Sequence, residues 1–237
     1  PDQPLKFRID LNSDDDKRVT LVSYIPRREN PEFGSSKPET LASHVRKVRK
    51  AVDAILERLA LSDDIKQAAQ FAADYHDHGK NRERWQRSVS GVATPPDEKW
   101  SDHTRGKSGG EMKRDGRGYR HEFGSLREFT DAFNAGRLLD DQGKSISQDV
   151  FDLAMHLIAT HHGRGRPHFA KGGFDPDAES SSVDIHTAAI QRFGRLQRKY
   201  GWWHLAWLEN LLRCADAAAS AGLETDDHAE ELEGGGT

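Results

Sequence analysis

Apolar residues recur at the three- and four-residue spacing of an α-helix through most of this chain, and this pattern limits the folds that it can adopt. The clearest stripe runs from residue 41 to residue 59 and consists of Leu41, Val45, Val48, Val52, Ile55 and Leu59. A stripe of this period gives a helix one side that faces a core. Further helical patterns occur in residues 63–78, 121–133, 147–161, 183–200 and 202–221. The sequence therefore predicts a mainly α-helical bundle.

Several residues mark where these helices begin and end. Ser36 and Glu39 form a capping-box pattern, which predicts the start of the first long helix. Gly79 is expected to end the second helix as a C′ glycine. Asn81 is expected to cap a short helix that follows, and Ser147 a longer one.

The ends of the chain differ in pattern from the helical part. Leu5, Phe7, Ile9 and Leu11 alternate with polar residues, and a similar run around Val22 follows a polar turn, so a β-hairpin is predicted. We predict three parts: residues 1–35 form the hairpin and a linker, 36–222 the helical domain, and 223–237 a disordered acidic, glycine-rich tail. The start at Pro1 suggests a processed chain or a piece of a longer one.

Composition excludes some classes of function. The net charge of -4 means that any binding of nucleic acid depends on local basic patches. One cysteine, Cys214, rules out an internal disulfide and fits a reducing cytoplasm. No apolar run reaches the length of a membrane span. Residues 88–120 are rich in glycine, proline and charge and are predicted to be a long mobile loop. Within this loop, Gly106-Lys107-Ser108 lacks the glycine and strand of a phosphate-binding loop.

Histidine and aspartate residues occur in five helices or helix ends, mostly next to an apolar stripe. These residues are His44, His76, Asp77, His121, His161, His162 and Asp216. Each alone fits a hydrogen-bonded core histidine or a capped helix end, but together they are expected to converge on a shared core. Imidazole and carboxylate ligands without thiolates suit Mn, Fe, Co, Ni or Zn at an open catalytic site. Seven donors exceed the needs of one tetrahedral ion, so two ions are predicted.

The order of these groups resembles the HD superfamily of metal-dependent phosphohydrolases. Five local sequences are similar to the HD nuclease domain of the type I CRISPR-associated helicase–nuclease, and they span about His44 to Ser220. They are Leu41-Ala-Ser-His44-Val, Tyr75-His-Asp-His-Gly-Lys80, Arg120-His-Glu-Phe-Gly-Ser125, Ala159-Thr-His-His-Gly163 and Ala215-Asp216 through Ser220. The His-Asp pair alone fits nucleotide phosphohydrolases equally well, whereas the Arg-His-Glu and His-His-Gly elements favour the nuclease.

The resemblance implies roles for individual residues. One ion would be held by His44, His76, Asp77 and Asp216, and the other by Asp77, His121, His161 and His162, so that Asp77 bridges them. The ions would be Mn, Fe, Ni or Co, with Mg or Zn as alternatives. Lys80 is expected to act beside Asp77 on the scissile phosphate, Arg164 and Arg166 to bind the DNA backbone, and Ser125 to support the ligands. Solvated surface charge is the alternative for Lys80 and both arginines.

The implied function is metal-dependent cleavage of single-stranded DNA in a CRISPR type I interference system. The implied partners are a superfamily 2 helicase domain, in cis or in trans, and an RNA-guided surveillance complex, in the cytoplasm and without a membrane. The alternatives are an HD-type hydrolase of nucleotides or cyclic nucleotides and a non-catalytic docking module. Trp85 or Trp100 is a candidate for stacking on a single strand. Trp202, Trp203 and Trp207 are expected in the core.

Overall fold

The computed structural model describes residues 5–11, 19–25, 38–94, 103–107, 119–175 and 179–222. Within these ranges it confirms the prediction of a mainly helical fold with a small N-terminal β-hairpin. The helices are α1 (Leu41–Glu57), α2 (Asp63–Tyr75), α3 (Glu83–Ser88), α4 (His121–Asn134), α5 (Gln148–Thr160) and α6 (Glu179–Ala221). None of them has the length and apolarity that crossing a bilayer would require.

The strands form two separate antiparallel pairs. β1 (Leu5–Leu11) pairs with β2 (Val19–Ile25), as predicted for the hairpin. β3 (Glu39–Thr40) pairs with β4 (Arg105–Lys107). β4 lies inside the stretch predicted to be a mobile loop, so that prediction is wrong for these three residues. The rest of the linker and of that loop, and the predicted tail, lie largely outside the described residues.

The core lies between α1, α2, α4, α5 and α6. The largest side chains that are fully buried in it come from four of these helices: Leu41, Phe123, Leu126, Phe129, Leu153, Met155, Leu157, Ile158, Leu205, Leu208 and Leu212. Burying a side chain of this size stabilises the fold by about 1.5–3 kcal/mol. In α2, small residues such as Ala68 and Ala72 face the core, and α2 packs directly against α5. The apolar stripes read from the sequence are therefore the packed faces.

The first long helix begins later than the capping-box pattern predicts. Thr40 is the N-cap of α1, and its hydroxyl accepts a hydrogen bond from the Ser43 backbone N–H at 3.2 Å. Glu39 and Thr40 belong to β3, so a helix cannot already run through Glu39. The predicted start at Ser36 is wrong because pairing with β4, which is distant in sequence, holds these two residues extended.

The other two predicted caps have opposite outcomes. Ser147 is the N-cap of α5 and accepts a hydrogen bond from the Val150 N–H, as expected. Asn81 does not cap α3, whose N-cap position is Arg82. The Asn81 amide instead binds both backbone polar groups of Thr94, accepting from its N–H at 2.8 Å. Asn81 therefore ties the chain before α3 to the segment after it.

Helix α6 is interrupted at Gly201, which confirms that two helical segments meet there. Gly201 has φ 74° and ψ 170°, a backbone conformation open to glycine but strained for other residues. After this break, Trp202 and Trp203 are 74% and 90% exposed, and Trp207 is 40% exposed. Their predicted place in the core is wrong, because Leu205, Leu208 and Leu212 take the buried face of the helix.

Candidate metal centre

The centre is built around the turn that follows α2. This helix ends at Tyr75, and a short 3-10 turn (His78–Asn81) follows Asp77. Gly79 lies inside this turn without the left-handed backbone of a C′ glycine, so its predicted role is wrong. A Cβ on Gly79 would lie 1.8 Å from the carbonyl oxygen of His121. Glycine is needed here because the first turn of α4 packs directly on the backbone of this turn.

The side chains of Ser125 and Tyr119 hold the start of α4 against this turn. The Ser125 hydroxyl accepts a hydrogen bond from the Gly79 N–H at 2.9 Å and donates to the His76 carbonyl at 2.6 Å. The Tyr119 hydroxyl donates to the Gly79 carbonyl at 3.0 Å. Both side chains are buried. They position the His76-Asp77 backbone relative to His121.

Four side chains form what we call the second donor group: Asp77, His121, His161 and His162. The Nε2 atom of His121 lies 3.1 Å from Asp77 Oδ1, 3.3 Å from His161 Nε2 and 3.1 Å from His162 Nε2. Ligands about 2.1 Å from one ion in tetrahedral geometry lie about 3.4 Å apart. The second donor group therefore has the spacing of a metal coordination shell.

The first donor group consists of His44, His76, Asp77 and Asp216. His44 Nε2 and His76 Nε2 each lie 3.4 Å from Asp77 Oδ2. His44 Nε2 is also 3.1 Å from Asp216 Oδ1. Asp216 is the outermost member, since its side chain is 18% exposed whereas those of the other three are at most 2% exposed. The structure brings six of the seven predicted ligands within mutual metal-binding distance, and Asp216 joins them through its contact with His44, where the first group opens to solvent.

In two of the histidines, the hydrogen bond of Nδ1 determines which nitrogen carries the proton and which one faces the centre. His76 Nδ1 lies 2.8 Å from the Ala73 carbonyl, and His161 Nδ1 lies 2.7 Å from the Ile158 carbonyl. A carbonyl only accepts, so each Nδ1 carries a proton, and each ring directs its Nε2 inward. Burial lowers the pKa of His76, but Asp77 outweighs burial and the pKa is raised, whereas the pKa of His161 is lowered. The Nε2 of a neutral ring presents a lone pair to the centre, and a metal ion bound there would displace the proton from a charged ring.

Buried polar atoms without a hydrogen-bond partner also indicate a metal site. Within the described part of the chain, His76 Nε2 and both oxygens of Asp77 are buried and have no hydrogen-bond partner. Lys80 Nζ lies 2.8 Å from Asp77 Oδ2 and pairs with it by charge, without the geometry of a hydrogen bond. An unsatisfied buried polar atom costs about 1–3 kcal/mol. A divalent cation in each group would give these atoms a partner, so the residues fit metal binding.

The protonation states suit metal ligands. Burial lowers the pKa of His161 to about 4, with nearby His76 and His121 adding to the effect. Burial together with His161 and His121 also holds the pKa of His162 far below its usual range. Burial raises the pKa of Asp77, but Lys80 and His76 outweigh it, so the pKa stays well below the usual value. At neutral pH these two histidines are neutral and the aspartate is ionised, the forms that bind metals.

Two glutamates behind the ligands were not identified from the sequence. Glu39 Oε2 lies 3.4 Å from His44 Nδ1, and the same carboxylate pairs with Lys47 at 2.7 Å and Lys107 at 3.2 Å. Glu122 is fully buried, with Oε2 3.8 Å from His121 Nδ1. A carboxylate behind a ligand imidazole increases its basicity through its charge, and one as close as Glu39 also orients the ring. Glu122 is held by Arg120 and lies beyond hydrogen-bond distance of His121. Glu122 could have been selected from the sequence, because it directly follows the candidate ligand His121. Glu39 could not, because it approaches His44 only through the pairing of β3 with β4.

The side chains of Lys80 and Trp85 are both buried next to the centre. The Lys80 side chain is 9% exposed, with Nζ at Asp77 and 5.5 Å from the centre of the Trp85 ring. The alternative of a solvated lysine is therefore wrong. Trp85 is itself buried, so it cannot stack on a nucleic acid strand, and Trp100 lies outside the described residues.

The arginines near the centre differ in their partners. Arg164 is exposed on the loop after α5. Arg166 Nη2 pairs with the buried carboxylate of Glu209, which also binds His156 Nε2 at 2.8 Å. Arg213, which was not identified from the sequence, lies against Gly163, where a Cβ would be 3.6 Å from its Cζ. The Arg213 guanidinium thus lies beside the turn that follows His162, and Arg164 is exposed two residues after His162.

Comparison with known proteins does not identify the chain. No protein-family model matches it, and no curated protein or solved structure gives a significant match. The function is therefore inferred from side-chain geometry and from the order of the sequence motifs.

Proposed function

We propose that this chain is a metal-dependent nuclease that hydrolyses phosphodiester bonds of single-stranded DNA with two divalent ions. The observation that carries the proposal is the position of Asp77 in both donor groups. Its Oδ1 faces His121, and its Oδ2 faces His44 and His76. A carboxylate with its two oxygens directed at different donor groups is suited to bridging a pair of ions.

The donor set favours transition metals. Three imidazoles in the second group and two in the first, without a thiolate, fit Mn, Fe, Co or Ni, with Mg and Zn as alternatives. Such ions, when bound, lower the pKa of a shared water and neutralise charge on phosphate oxygens. Asp77 and the histidines would hold them, with Asp216 on the solvent side. The Lys80 ammonium, held by Asp77, would attract a phosphate oxygen towards the centre.

Nucleic acid is the proposed substrate because of the motifs and the surroundings of the centre. The Arg-His-Glu and His-His-Gly elements resemble those of the type I CRISPR HD nuclease. Arg213 places positive charge beside the residue that follows His162, and Arg164 is exposed on the same loop, so phosphates of neighbouring nucleotides would bind here. In this proposal a superfamily 2 helicase domain and an RNA-guided surveillance complex supply the strand in the cytoplasm. The complete donor set argues against a docking module without catalysis.

The test is hydrolysis by the purified chain in the presence of Mn²⁺, Ni²⁺, Co²⁺ or Mg²⁺. Circular single-stranded DNA, nucleotides and cyclic nucleotides are offered separately, with EDTA as the control. We expect metal-dependent cleavage of DNA. Hydrolysis of nucleotides without cleavage of DNA would assign the chain to the phosphohydrolases instead. Binding of metal without hydrolysis of any of these substrates would support a docking module.

A further inference from the structure

We propose that one face of the second segment of α6 is a binding track along which single-stranded DNA reaches the metal centre. The track consists of Trp202, Arg213 and Asp216 on α6, together with Arg166, which lies on Glu209 of the same face. This inference rests on the proposed nuclease function, and it names the surface that holds the strand outside the centre.

The spacing of the α6 residues places them on one face. Glu209 comes seven residues after Trp202, Arg213 four residues after Glu209, and Asp216 three residues after Arg213. Intervals of three, four and seven residues return to the same side of an α-helix. The break at Gly201 precedes Trp202, so this register is continuous from Trp202 to Asp216. One stripe of the helix therefore connects an exposed indole with a candidate metal ligand.

The charge along this stripe suits a nucleic acid backbone. Glu209 is the only acidic α6 residue between Trp202 and Asp216. It is 2% exposed and is covered by the guanidinium of Arg166, whose side chain is 37% exposed. Arg213 lies one turn closer to the centre, against Gly163. A strand on this face would therefore meet the positive charge of Arg213 and the outer side of Arg166, whose ion pair with Glu209 cancels the charge of that carboxylate.

The exposed tryptophan is suited to stacking on a base. Trp202 is 74% exposed, although an indole is usually at least half buried in a folded protein. No leucine, isoleucine, valine, methionine or phenylalanine is exposed on α6 between Gly201 and Ala221. Exposed aromatic rings and guanidinium groups without aliphatic neighbours are typical of a surface that binds single strands by stacking and charge. A second protein chain would more often find aliphatic side chains in the same patch.

The length of the track makes a specific prediction. Eleven residues separate Trp202 from Arg213, a rise of about 16 Å along the helix. At roughly 3.4 Å per stacked nucleotide, a strand needs about five steps to cover this distance. A fifteen-nucleotide strand can therefore contact Trp202 and Arg213 together, whereas a three-nucleotide strand can contact only one of them. Trp202 should contribute more to the affinity for the longer strand.

The experiment compares Trp202→Ala with Trp207→Ala as a matched control. Trp207 is also exposed but is five residues further along, roughly 140° around the helix axis. Affinity for fluorescent dT15 and dT3 is measured by anisotropy in EDTA, so that no cleavage occurs. Hydrolysis of bis(p-nitrophenyl) phosphate with Mn²⁺ reports on the metal centre separately, because this substrate is too small to reach Trp202.

We expect Trp202→Ala to weaken binding of dT15 by about fivefold to a hundredfold, the usual effect of losing one stacked base. Trp207→Ala should leave the affinity unchanged, and both variants should hydrolyse the small phosphodiester as well as the unmodified chain. Replacing Arg213 with glutamine should reduce the slope of log affinity against log salt by about 0.7, the value for one phosphate contact.

If Trp202→Ala binds dT15 with the same affinity as the unmodified chain, the proposed track is wrong. An equal loss in both tryptophan variants would also overturn it, since the effect would not follow the stripe. A dimer that dissociates on Trp202→Ala, with unchanged affinity for dT15, would assign the tryptophan to self-association. Failure of the unmodified chain to hydrolyse both DNA and the small phosphodiester with any metal would instead contradict the proposed function.

Discussion

The two donor groups of the candidate centre share Asp77 but differ in what surrounds them. The second group contains three imidazoles and one carboxylate oxygen, and its His161 is oriented by a backbone carbonyl. The first group contains two imidazoles and two carboxylates, and Glu39 adds a third carboxylate behind His44. Each group has one member that reaches solvent, Asp216 in the first and His162 in the second. The groups therefore offer different chemistry to a metal ion.

The difference in ligands predicts that the two groups differ in metal preference and in metal affinity. An imidazole-rich, buried set favours transition metals, whereas a set rich in carboxylate accepts harder ions such as Mn²⁺ or Mg²⁺. We therefore expect the second group to hold its ion more tightly. The first group should exchange its ion more readily.

The largest effect is expected from Asp77→Asn, which removes the charge that both groups share. Activity should fall by about two orders of magnitude or more, because a catalytic ion supplies several kcal/mol of transition-state stabilisation. Metal content should fall in both groups. Activity assays, metal analysis and circular dichroism of the variant check this prediction. Normal cutting by a folded Asp77→Asn variant would show that the centre is not catalytic.

His44→Ala and His161→Ala are expected to separate the two groups. Each variant removes a ligand that belongs to one group only, so each should bind one ion where the unmodified chain binds two. The Co²⁺ absorption spectra of the two variants should differ, because the remaining ion has a different set of ligands. Loss of both ions in either variant would mean that the groups do not bind independently.

A smaller effect is expected from the two glutamates behind the ligands. Glu39→Gln should weaken one ion by about tenfold to a hundredfold, the usual range for such supporting carboxylates, and Glu122→Gln should weaken the other. A two-step metal titration measures both affinities. If both variants weaken the same step, the assignment of one glutamate to each group is wrong.

The smallest effect on the centre is expected from Ser125→Ala. The loss of its two hydrogen bonds should lower the free energy of unfolding by about 1–3 kcal/mol. Metal affinity should fall as well, because the turn that carries His76 and Asp77 loosens. Ser88→Ala is the matched control, since Ser88 is also buried and donates to the Trp85 carbonyl. Thermal unfolding and metal titration of both variants test the prediction, and equal metal affinity in the two would contradict it.

Local periodicity was enough to predict most of the helices, and motif order was enough to select the seven residues that the structure brings together. Those residues follow apolar stripes, so packing the stripes also brings the polar groups into one place. The hairpin and the Ser147 cap are likewise local features, and both were predicted correctly.

The features that depend on contacts between distant parts of the chain were not predictable in this way. The start of α1 and the role of Glu39 depend on pairing between β3 and β4. The need for glycine at Gly79 arises from the backbone of α4, far along the chain. Trp202 is exposed because the leucine face of α6 packs on the core. Periodicity alone did not show whether the tryptophans or the neighbouring leucines form the buried face.

The central claim is that two ions share Asp77, and the electron paramagnetic resonance spectrum of the Mn²⁺-loaded chain tests it most directly. We predict two Mn²⁺ ions per chain with an exchange-coupled spectrum, because one carboxylate bridges them. Asp77→Asn should lose this coupling. A single bound ion, or two ions whose spectra are those of isolated Mn²⁺, would contradict the account.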